Sequence, residues 1–322
     1  MDILKEEYSK QQTPYLNWFG LKCFLIIDHP DDIQMVMTSK SCIEKSNIYP
    51  NLFVENIGQH IGRGSFDIFH YSSACAMDII CDFESPKIFI DRLIKLRHEG
   101  LITEEDVRDQ VNFIMFAGQD TSSFTIAMTI LLLAMHPSIG KRVVDEINEV
   151  LDYLPVDSDL TMEHVNKLTY LEQVIKETLR LHPVVPILFR HCTEYTSMTN
   201  FVISKDTEVV IPAIRAHRRK DIWGEDADEF NPDHFPKEVS SKRSPFAFVA
   251  FSNGPRNCFG RRFAFISIKT TLAKVLRSSK FSTHLGMDDL KFRLEITSKP
   301  VKKVLRSKLW NAYSHESFSD SL

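Results

Sequence analysis

The chain lacks any pair of cysteines separated by two residues. Its six cysteines are scattered, at Cys23, Cys42, Cys75, Cys81, Cys192 and Cys258. Zinc ribbons need such pairs, and small secreted domains need a dense disulfide framework. Neither class fits this chain, and isolated thiols suit a reducing compartment.

The chain also lacks a strong charge of either sign and a long apolar run near its start. Its net charge of −4 provides no basic footprint for nucleic acid. The run Cys23–Ile27 is too short for a membrane span or a signal-peptide core. Gly58, Gly62 and Gly64 lack the strand–GxGxxG–helix context of a dinucleotide site. With 43% apolar residues, the composition is that of an ordinary globular protein.

What the chain does have is the stretch FSNGPRNCFGRRFA, Phe251 to Ala264, with one cysteine between two glycines. Apolar residues then recur at helical spacing, at Ala264, Ile268, Leu272, Val275 and Leu276. Cys258 therefore precedes a helix N-terminus, which favours a thiolate. Gly254 and Gly260 permit close backbone approach to a planar ligand or to the sulfur. A lone thiolate suits an axial ligand of haem iron, and the alternative is a structural cysteine in a turn.

A second feature is a long apolar helix with polar residues in its middle. It begins at the capping-box pattern Thr103–Asp106 and ends near Met135, before Pro137. About 30 residues at 1.5 Å each make a helix of roughly 45 Å. The segment AGQDTS, Ala117 to Ser122, goes against helix propensity and suggests a function. The alternative is a polar kink filled by water or by back-bonding of its threonine to the carbonyl four residues earlier.

Other patterns predict a mixture of helices and short strands. We expect a strand at Lys22–Ile27, a helix at Asp31–Thr38 and a buried helix at Phe66–Cys81. The segments Phe201–Ile203 and Glu208–Ile211 predict a hairpin, and residues 213–250 an irregular stretch. A further helix has one apolar face, made of Leu168, Leu171, Val174, Ile175 and Thr178. On that helix, Glu177 and Arg180 are three residues apart, which in isolation indicates an exposed ion pair.

The ten residues Phe251 to Gly260 resemble the haem-binding loop of the cytochrome P-450 monooxygenases. The resemblance implies that Cys258 is the proximal iron ligand, that Phe251 packs beside the sulfur and that Arg256 reaches a haem propionate. Gly254 and Gly260 occupy the glycine positions of that loop.

The segment AGQDTS resembles the oxygen-activating kink of the same family. The resemblance implies that Ala117 and Gly118 adjoin the cofactor, that Asp120 relays protons and that Thr121 donates a hydrogen bond during O2 activation. Within the family the chain resembles the microsomal, fatty-acid-hydroxylating branch of the family-four type. Some of those members attach haem covalently through a glutamate before the kink glycine. Ala117 stands there, so we predict noncovalent haem b.

Two more elements are implied by the resemblance. Glu177 and Arg180 match a buried Glu-x-x-Arg pair that docks on the segment before the cysteine loop, with His234 in place of the usual arginine partner. Arg190 matches a second propionate-binding arginine.

The implied fold is mainly α with a small β region, an incomplete cytochrome P-450 fold. We expect one domain over residues 1–322, with a central helix at 103–136 and the haem-thiolate loop and its helix at 251–276. None of the three tryptophans has an arginine four residues later, as a propionate-binding helix would require. Compared with the family, we expect splices near Leu52–Phe53 and Phe83–Pro86, and we expect no counterpart of the N-terminal anchor and the roof helices.

The resemblance implies a monooxygenase that inserts one atom of O2 into an apolar small molecule of the fatty acid, steroid or xenobiotic class. Its expected partner is NADPH-cytochrome P-450 reductase, and its expected location is the cytosolic face of the endoplasmic reticulum membrane, held by peripheral contact. Basic residues bracket the cysteine loop, and the alternatives for them are a docking face for that partner or an ordinary solvated surface: Lys220, Lys242, Arg243, Arg261 and Arg262. One rival hypothesis is a catalytically impaired or inactive remnant of such an enzyme, haem-binding or haem-free. The other is a cysteine hydrolase that pairs Cys258 with a base such as His217.

Overall fold

The computed structural model describes residues 12–19, 22–42, 86–151, 154–155, 158–294, 297–300 and 310–311. The glycines at 58, 62 and 64, the predicted helix Phe66–Cys81 and the two splice positions lie outside these residues. In the described part, helices dominate and the strands are few and short, which confirms a mainly α fold with a small β region.

The described elements follow in chain order. The helices are α1 (Pro30–Thr38), α2 (Pro86–His98), α3 (Glu104–Met135), α4 (Pro137–Leu151), α5 (Met162–Lys167), α6 (Thr169–Leu181), α7 (Ala213–Ala216), α8 (Lys220–Trp223), α9 (Lys237–Ser240) and α10 (Arg261–Ser278). The strands are β1 (Tyr15–Phe19), β2 (Lys22–Ile26), β3 (Leu188–Cys192), β4 (Thr196–Ser197), β5 (Val202–Ile203), β6 (Thr207–Ile211), β7 (Ser279–Lys280), β8 (Phe292–Leu294), β9 (Ser298–Pro300) and β10 (Trp310–Asn311).

The described residues fall into two compact units. The sheet unit is drawn from Met1–Ser65, Gln173–Arg261 and Gly286–Val304, and the helical unit from Phe66–Glu172, Arg262–Leu285 and Leu305–Leu322. The expectation of one domain over the whole chain stays a prediction.

The sheet unit is built on four strands in the order β1-β2-β6-β3. Strand β2 runs parallel to β6, while β1 and β3 are antiparallel to their neighbours. Ile33, Val36 and Met37 of α1 pack against one face of the sheet in a shared apolar cluster that includes Val209 and Val249. This cluster supports the segment that leads into the cysteine loop.

The predicted hairpin between Phe201–Ile203 and Glu208–Ile211 is wrong. Strand β5 pairs instead with β4, through the register Thr196↔Ile203, while β6 lies between β2 and β3 in the main sheet. The buried residues Val209 and Ile211 explain the difference, because a central strand keeps their side chains from water better than a two-stranded hairpin.

The helical unit is organised around α3. Thr103 Oγ1 accepts from the Asp106 amide at 3.1 Å, and the Asp106 carboxylate accepts from the Thr103 amide at 2.8 Å, which confirms the capping box. The half of α3 from Ser122 to Ala134 is buried all round. Helix α4 follows, with a buried stripe of Val143, Ile147 and Leu151.

No described helix is both long enough and apolar enough to cross a membrane by itself. Helices α3 and α4 meet that test only as a pair, and they are bent by 116° at the break between them.

Candidate functional site

The loop around Cys258 is closed by main-chain hydrogen bonds. The Ser252 amide donates to the Val249 carbonyl at 2.8 Å, and the Cys258 amide donates to the Phe251 carbonyl at 2.9 Å. Helix α10 begins three residues after the cysteine, as the spacing predicts. The Cys258 thiol is exposed at this point, in contrast to the buried thiols of Cys42 and Cys192. The loop thus presents a single sulfur at its surface.

Two features require a glycine at position 254: its backbone conformation and the close approach of a neighbouring residue. Its φ is +73°, and a Cβ there would lie 2.3 Å from the Met37 carbonyl oxygen at the end of α1. The close approach is therefore to a helix backbone, which the sequence alone did not indicate. Gly260 is different, because a Cβ there would make an ordinary 3.9 Å contact with the Cys258 sulfur.

The donor set of this loop fits haem. No group of three or more metal-ligating side chains is present among the described residues, so Cys258 is not part of a protein-only metal centre there. A single exposed thiol would suit a haem iron, because the porphyrin supplies most of that iron's other ligands. Phe251 and Arg256 stand in the same loop, with Arg256 exposed.

Arg190 reaches the loop from strand β3. Its guanidinium donates to the Ser252 hydroxyl at 2.9 Å and to the Phe189 carbonyl at 3.0 Å, and the side chain is buried. Ser252 itself has a φ of +56°, a left-handed conformation that is uncommon for a residue other than glycine. Sequence reasoning missed Ser252, because nothing in its local pattern reveals a side-chain partner 62 residues away.

The pair Glu177–Arg180 is buried, so the reading as an exposed ion pair is wrong and the reading from the resemblance fits. Arg180 donates to both carboxylate oxygens of Glu177, each at 2.7 Å. Arg180 also donates to the carbonyls of His217, at 2.8 Å, and of Ala227 and Glu229. These carbonyls belong to the irregular stretch before the cysteine loop, which the pair therefore holds in place.

His234 completes this network. Its Nδ1 lies 3.1 Å from Glu177 Oε1, and its Nε2 lies 3.3 Å from Asp226 Oδ1. Burial disfavours the imidazolium, but the bonds and charges of these two carboxylates outweigh it, so the pKa of His234 lies above its usual value. The pKa of Asp226 is lowered, first by a hydrogen bond from Asn231 and then by His234. Histidine, at the position where the resemblance implies an arginine, thus places beside Glu177 a ring whose protonation the two carboxylates favour.

Asp120 and Thr121 lie in α3, which stays helical through the whole AGQDTS segment. Thr121 Oγ1 donates to the Ala117 carbonyl at 2.7 Å. In the same way, Thr125 donates to the Thr121 carbonyl and Thr129 to the Thr125 carbonyl. The back-bonding alternative is therefore realised for the Thr121 hydroxyl. Ala117, Gly118, Asp120 and Thr121 are all half-buried. Their roles near the cofactor stay predictions.

His217 is not available as the base of a cysteine hydrolase. Its side chain is fully buried, and both ring nitrogens bond the main chain. Burial, with Arg180 close by, lowers the pKa of His217 to about 3. This engagement argues against the hydrolase hypothesis.

Three members of the predicted basic docking face have partners of their own, one of them Arg261, whose guanidinium carbon lies 5.7 Å from the Phe251 ring centroid. Lys220 Nζ lies 2.9 Å from Glu225 Oε2. Arg243 donates to the His234 carbonyl at 3.0 Å, and its guanidinium carbon lies 4.0 Å from the Trp223 ring centroid. Lys242, Arg261 and Arg262 are exposed. The docking face stays a prediction with fewer available charges.

Comparison with known proteins identifies the family. The family model described as Cytochrome P450 matches residues 81–305. Probable cytochrome P450 313a1 of Drosophila melanogaster is 38% identical over 213 residues, which cover 66% of this chain and 43% of the relative. Cytochrome P450 4c3 of Drosophila melanogaster is 35% identical over 222 residues, 69% of this chain and 41% of the relative.

A mammalian relative gives the same result. Cytochrome P450 4V2 of Rattus norvegicus is 36% identical over 218 residues, 66% of this chain and 41% of the relative. The chain spans less than half the length of these curated relatives. It belongs to the cytochrome P450 family, in a branch similar to that of its family-four relatives.

Proposed function

We propose that this chain holds haem b through Cys258 and acts as a monooxygenase that inserts one atom of O2 into an apolar small molecule. The observation that carries the proposal is the exposed Cys258 thiol, in a loop closed at Phe251 and followed by a helix N-terminus. Membership of the family implies haem b with a cysteine thiolate on its iron, and Ala117 in place of the glutamate that some members use fits noncovalent binding. When bound, it supplies the chemistry of O2 reduction and cleavage.

The protein's own residues hold that loop in place. The amide of Cys258 donates a hydrogen bond to the Phe251 carbonyl, and this bond fixes the backbone beside the sulfur. Arg190 bonds Ser252 in the same loop, so its positive charge lies close to the thiolate segment. Arg256 adds a second, exposed guanidinium. Two arginines at one loop suit the two carboxylates of a porphyrin.

Asp120 and Thr121 are proposed to handle protons during turnover. The Thr121 hydroxyl donates to the Ala117 carbonyl and keeps its lone pairs for another donor. A hydroxyl that can turn between a carbonyl and a ligand can accept or pass a proton. Asp120, one residue earlier on the same helix, supplies a carboxylate.

The finer parts of the proposal concern substrate, electron donor and location. We propose a substrate of the fatty acid, steroid or xenobiotic class, electrons from NADPH-cytochrome P-450 reductase, and peripheral contact with the cytosolic face of the endoplasmic reticulum membrane. These proposals rest on the resemblance of the chain to the microsomal, fatty-acid-hydroxylating branch of the family-four type.

The test is haem uptake followed by turnover. The purified chain is titrated with hemin, reduced and exposed to CO, and the proposal expects a red-shifted Soret band of thiolate-ligated haem. Reconstitution with NADPH and the reductase, under isotopically labelled O2, should then place one labelled oxygen atom in a fatty acid product. Haem uptake with peroxide as the sole product would support an impaired remnant, and no haem uptake would contradict the proposal and leave only a haem-free remnant.

A further inference from the structure

His217 is a buried histidine that the haem-binding motif does not include. It lies at the end of α7, 41 residues before Cys258 in the sequence, with none of its side chain exposed. Its ring stacks on Phe248 with centroids 5.3 Å apart, and meets Trp223 edge-on at 6.4 Å. A buried polar ring needs partners for both nitrogens, and the identity of those partners indicates what the ring does.

Both partners are main-chain groups. The Val249 amide lies 2.9 Å from Nε2, and because an amide can only donate, Nε2 must be the acceptor. Nδ1 therefore carries the proton and donates to the Arg180 carbonyl, at 3.1 Å. The neutral ring thus joins the buried Glu177–Arg180 helix to the segment that enters the cysteine loop.

Val249 is the residue on which that loop turns. Its amide is held by His217, and its carbonyl accepts from the Ser252 amide at 2.8 Å. Ser252 takes the left-handed conformation that reverses the chain, and the next closing bond is from Cys258 to Phe251. A residue whose N–H and C=O are both hydrogen-bonded cannot rotate freely about its φ and ψ, so the start of the loop is fixed from His217.

We infer that His217 is a positioning residue of the thiolate loop, which fixes the entry to that loop through the Val249 amide. The inference rests on the proposed function only for its haem readout. Its effect on the loop backbone exists with or without cofactor. Arg180 donates back to the His217 carbonyl, so the Glu177–Arg180 pair acts on the loop through this residue.

Three variants separate the two hydrogen bonds. In His217→Gln, the longer side chain can bring its carbonyl oxygen to the Val249 amide. In His217→Asn, the shorter amide can donate to the Arg180 carbonyl but does not reach Val249. His217→Phe keeps the stacking on Phe248 and loses both bonds. As a control, His182→Phe changes another buried histidine of the sheet unit, whose ring packs on Phe292 with centroids 5.1 Å apart.

The first readout is amide hydrogen exchange of the purified chain, which needs no haem. We expect exchange at Val249 and in the segment Phe251–Cys258 to rise roughly tenfold in His217→Asn and His217→Phe, as loss of one buried hydrogen bond allows. His217→Gln and His182→Phe should keep wild-type protection there. Equal protection in Gln, Asn and Phe variants would overturn the inference, as would a loss of protection in His182→Phe as large as in His217→Phe.

The second readout is the CO-bound spectrum after haem loading. The fraction of haem with the thiolate signature should fall in the Asn and Phe variants and be retained in the Gln variant. An unaltered thiolate fraction in all three would overturn the inference while leaving the proposed function intact. If the wild-type chain takes up no haem, the proposed function fails, and hydrogen exchange still decides the role of His217.

Discussion

Arg180 and Glu177 form a bidentate ion pair in which neither side chain is exposed to solvent. Such a pair contributes little when compared with a well-packed apolar substitute, but removal of one partner leaves an uncompensated buried charge. Without Glu177, Arg180 would also lose the partner that orients it toward three carbonyls of the irregular stretch.

We therefore expect Glu177→Ala to lower the free energy of unfolding by about 3–5 kcal/mol. Urea unfolding followed by circular dichroism measures this loss. Asp145→Ala is the matched control, because it breaks the exposed pair with Lys141 at 2.6 Å and should change stability little. Equal losses in the two variants would mean that the Glu177–Arg180 pair does not hold the segment.

The His234–Glu177–Asp226 network predicts a pH dependence of stability. The pKa of His234 is raised in the folded chain, so its contribution is complete below about 6.5, its ordinary value, and is lost as the pH rises through the folded pKa. The pKa of Asp226 is lowered, so its contribution is present above its ordinary 3.8 and is lost as the pH falls through the folded pKa.

His234→Asn should remove the part of the stability decline that occurs above pH 6.5. The free energy of unfolding of the two proteins, measured at pH 5.5, 6.5 and 8, checks this expectation. His98→Asn is the control, because that histidine is exposed at the end of α2. An unchanged slope above pH 6.5 in His234→Asn would exclude the network as its source.

How much of this fold was readable in the sequence depends on how far apart the partners are. Helix α3 was predictable from start to end because its capping box and its terminating proline are local signals. The buried face of α6 was equally clear, since Leu171, Val174 and Ile175 repeat at helical spacing. Sequence periodicity predicts which residues of one element share a buried face, and both of these helices have such local signals.

Pairings across the chain were not readable in the same way. Strand β6 was assigned to a hairpin because its nearest neighbour in sequence is β5, yet its parallel partner β2 lies more than 180 residues earlier. His217 and Ser252 were missed as supports of the loop for the same reason, since their partners are 32 to 62 residues distant. The cysteine loop itself was found because its spacing is local and specific.

The packing of Gly254 on α1 yields a prediction with an internal control. Gly254→Ala would place a methyl group 2.3 Å from the Met37 carbonyl oxygen, in addition to the strain of a φ of +73°. Gly100 has almost the same φ, +72°, with nothing within 4 Å of the position of a Cβ. Gly100→Ala therefore measures the backbone strain alone, about 1–2 kcal/mol.

We expect Gly254→Ala to lower the free energy of unfolding well beyond the loss in Gly100→Ala, and to weaken haem retention. Urea unfolding of both variants gives the comparison. If Gly254→Ala lowers the free energy of unfolding no more than Gly100→Ala does, then the end of α1 does not pack closely against Gly254.

Arg190 gives a prediction for haem retention. Arg190→Gln removes the buried bond to Ser252, which leaves a left-handed residue of the loop without that support, and it removes one candidate partner of a propionate. Haem dissociation should accelerate at least about fivefold, as loss of a charged hydrogen bond implies. Transfer of haem to excess apo-globin measures the rate. Arg108→Gln, on the exposed face of α3, should match wild type, and equal rates for the two variants would refute a role for Arg190.

The most direct test of the account is the replacement of the Cys258 thiol by an alcohol. Cys258→Ser changes one exposed atom in a loop whose backbone bonds are retained, and Cys23→Ser is the control at a half-buried cysteine of strand β2. The measurement is the absorbance of the reduced, CO-treated protein after haem loading. We predict that Cys258→Ser loses the thiolate-type Soret band while Cys23→Ser keeps it. A serine variant with the wild-type spectrum and wild-type haem content would contradict the assignment of Cys258 as the iron ligand.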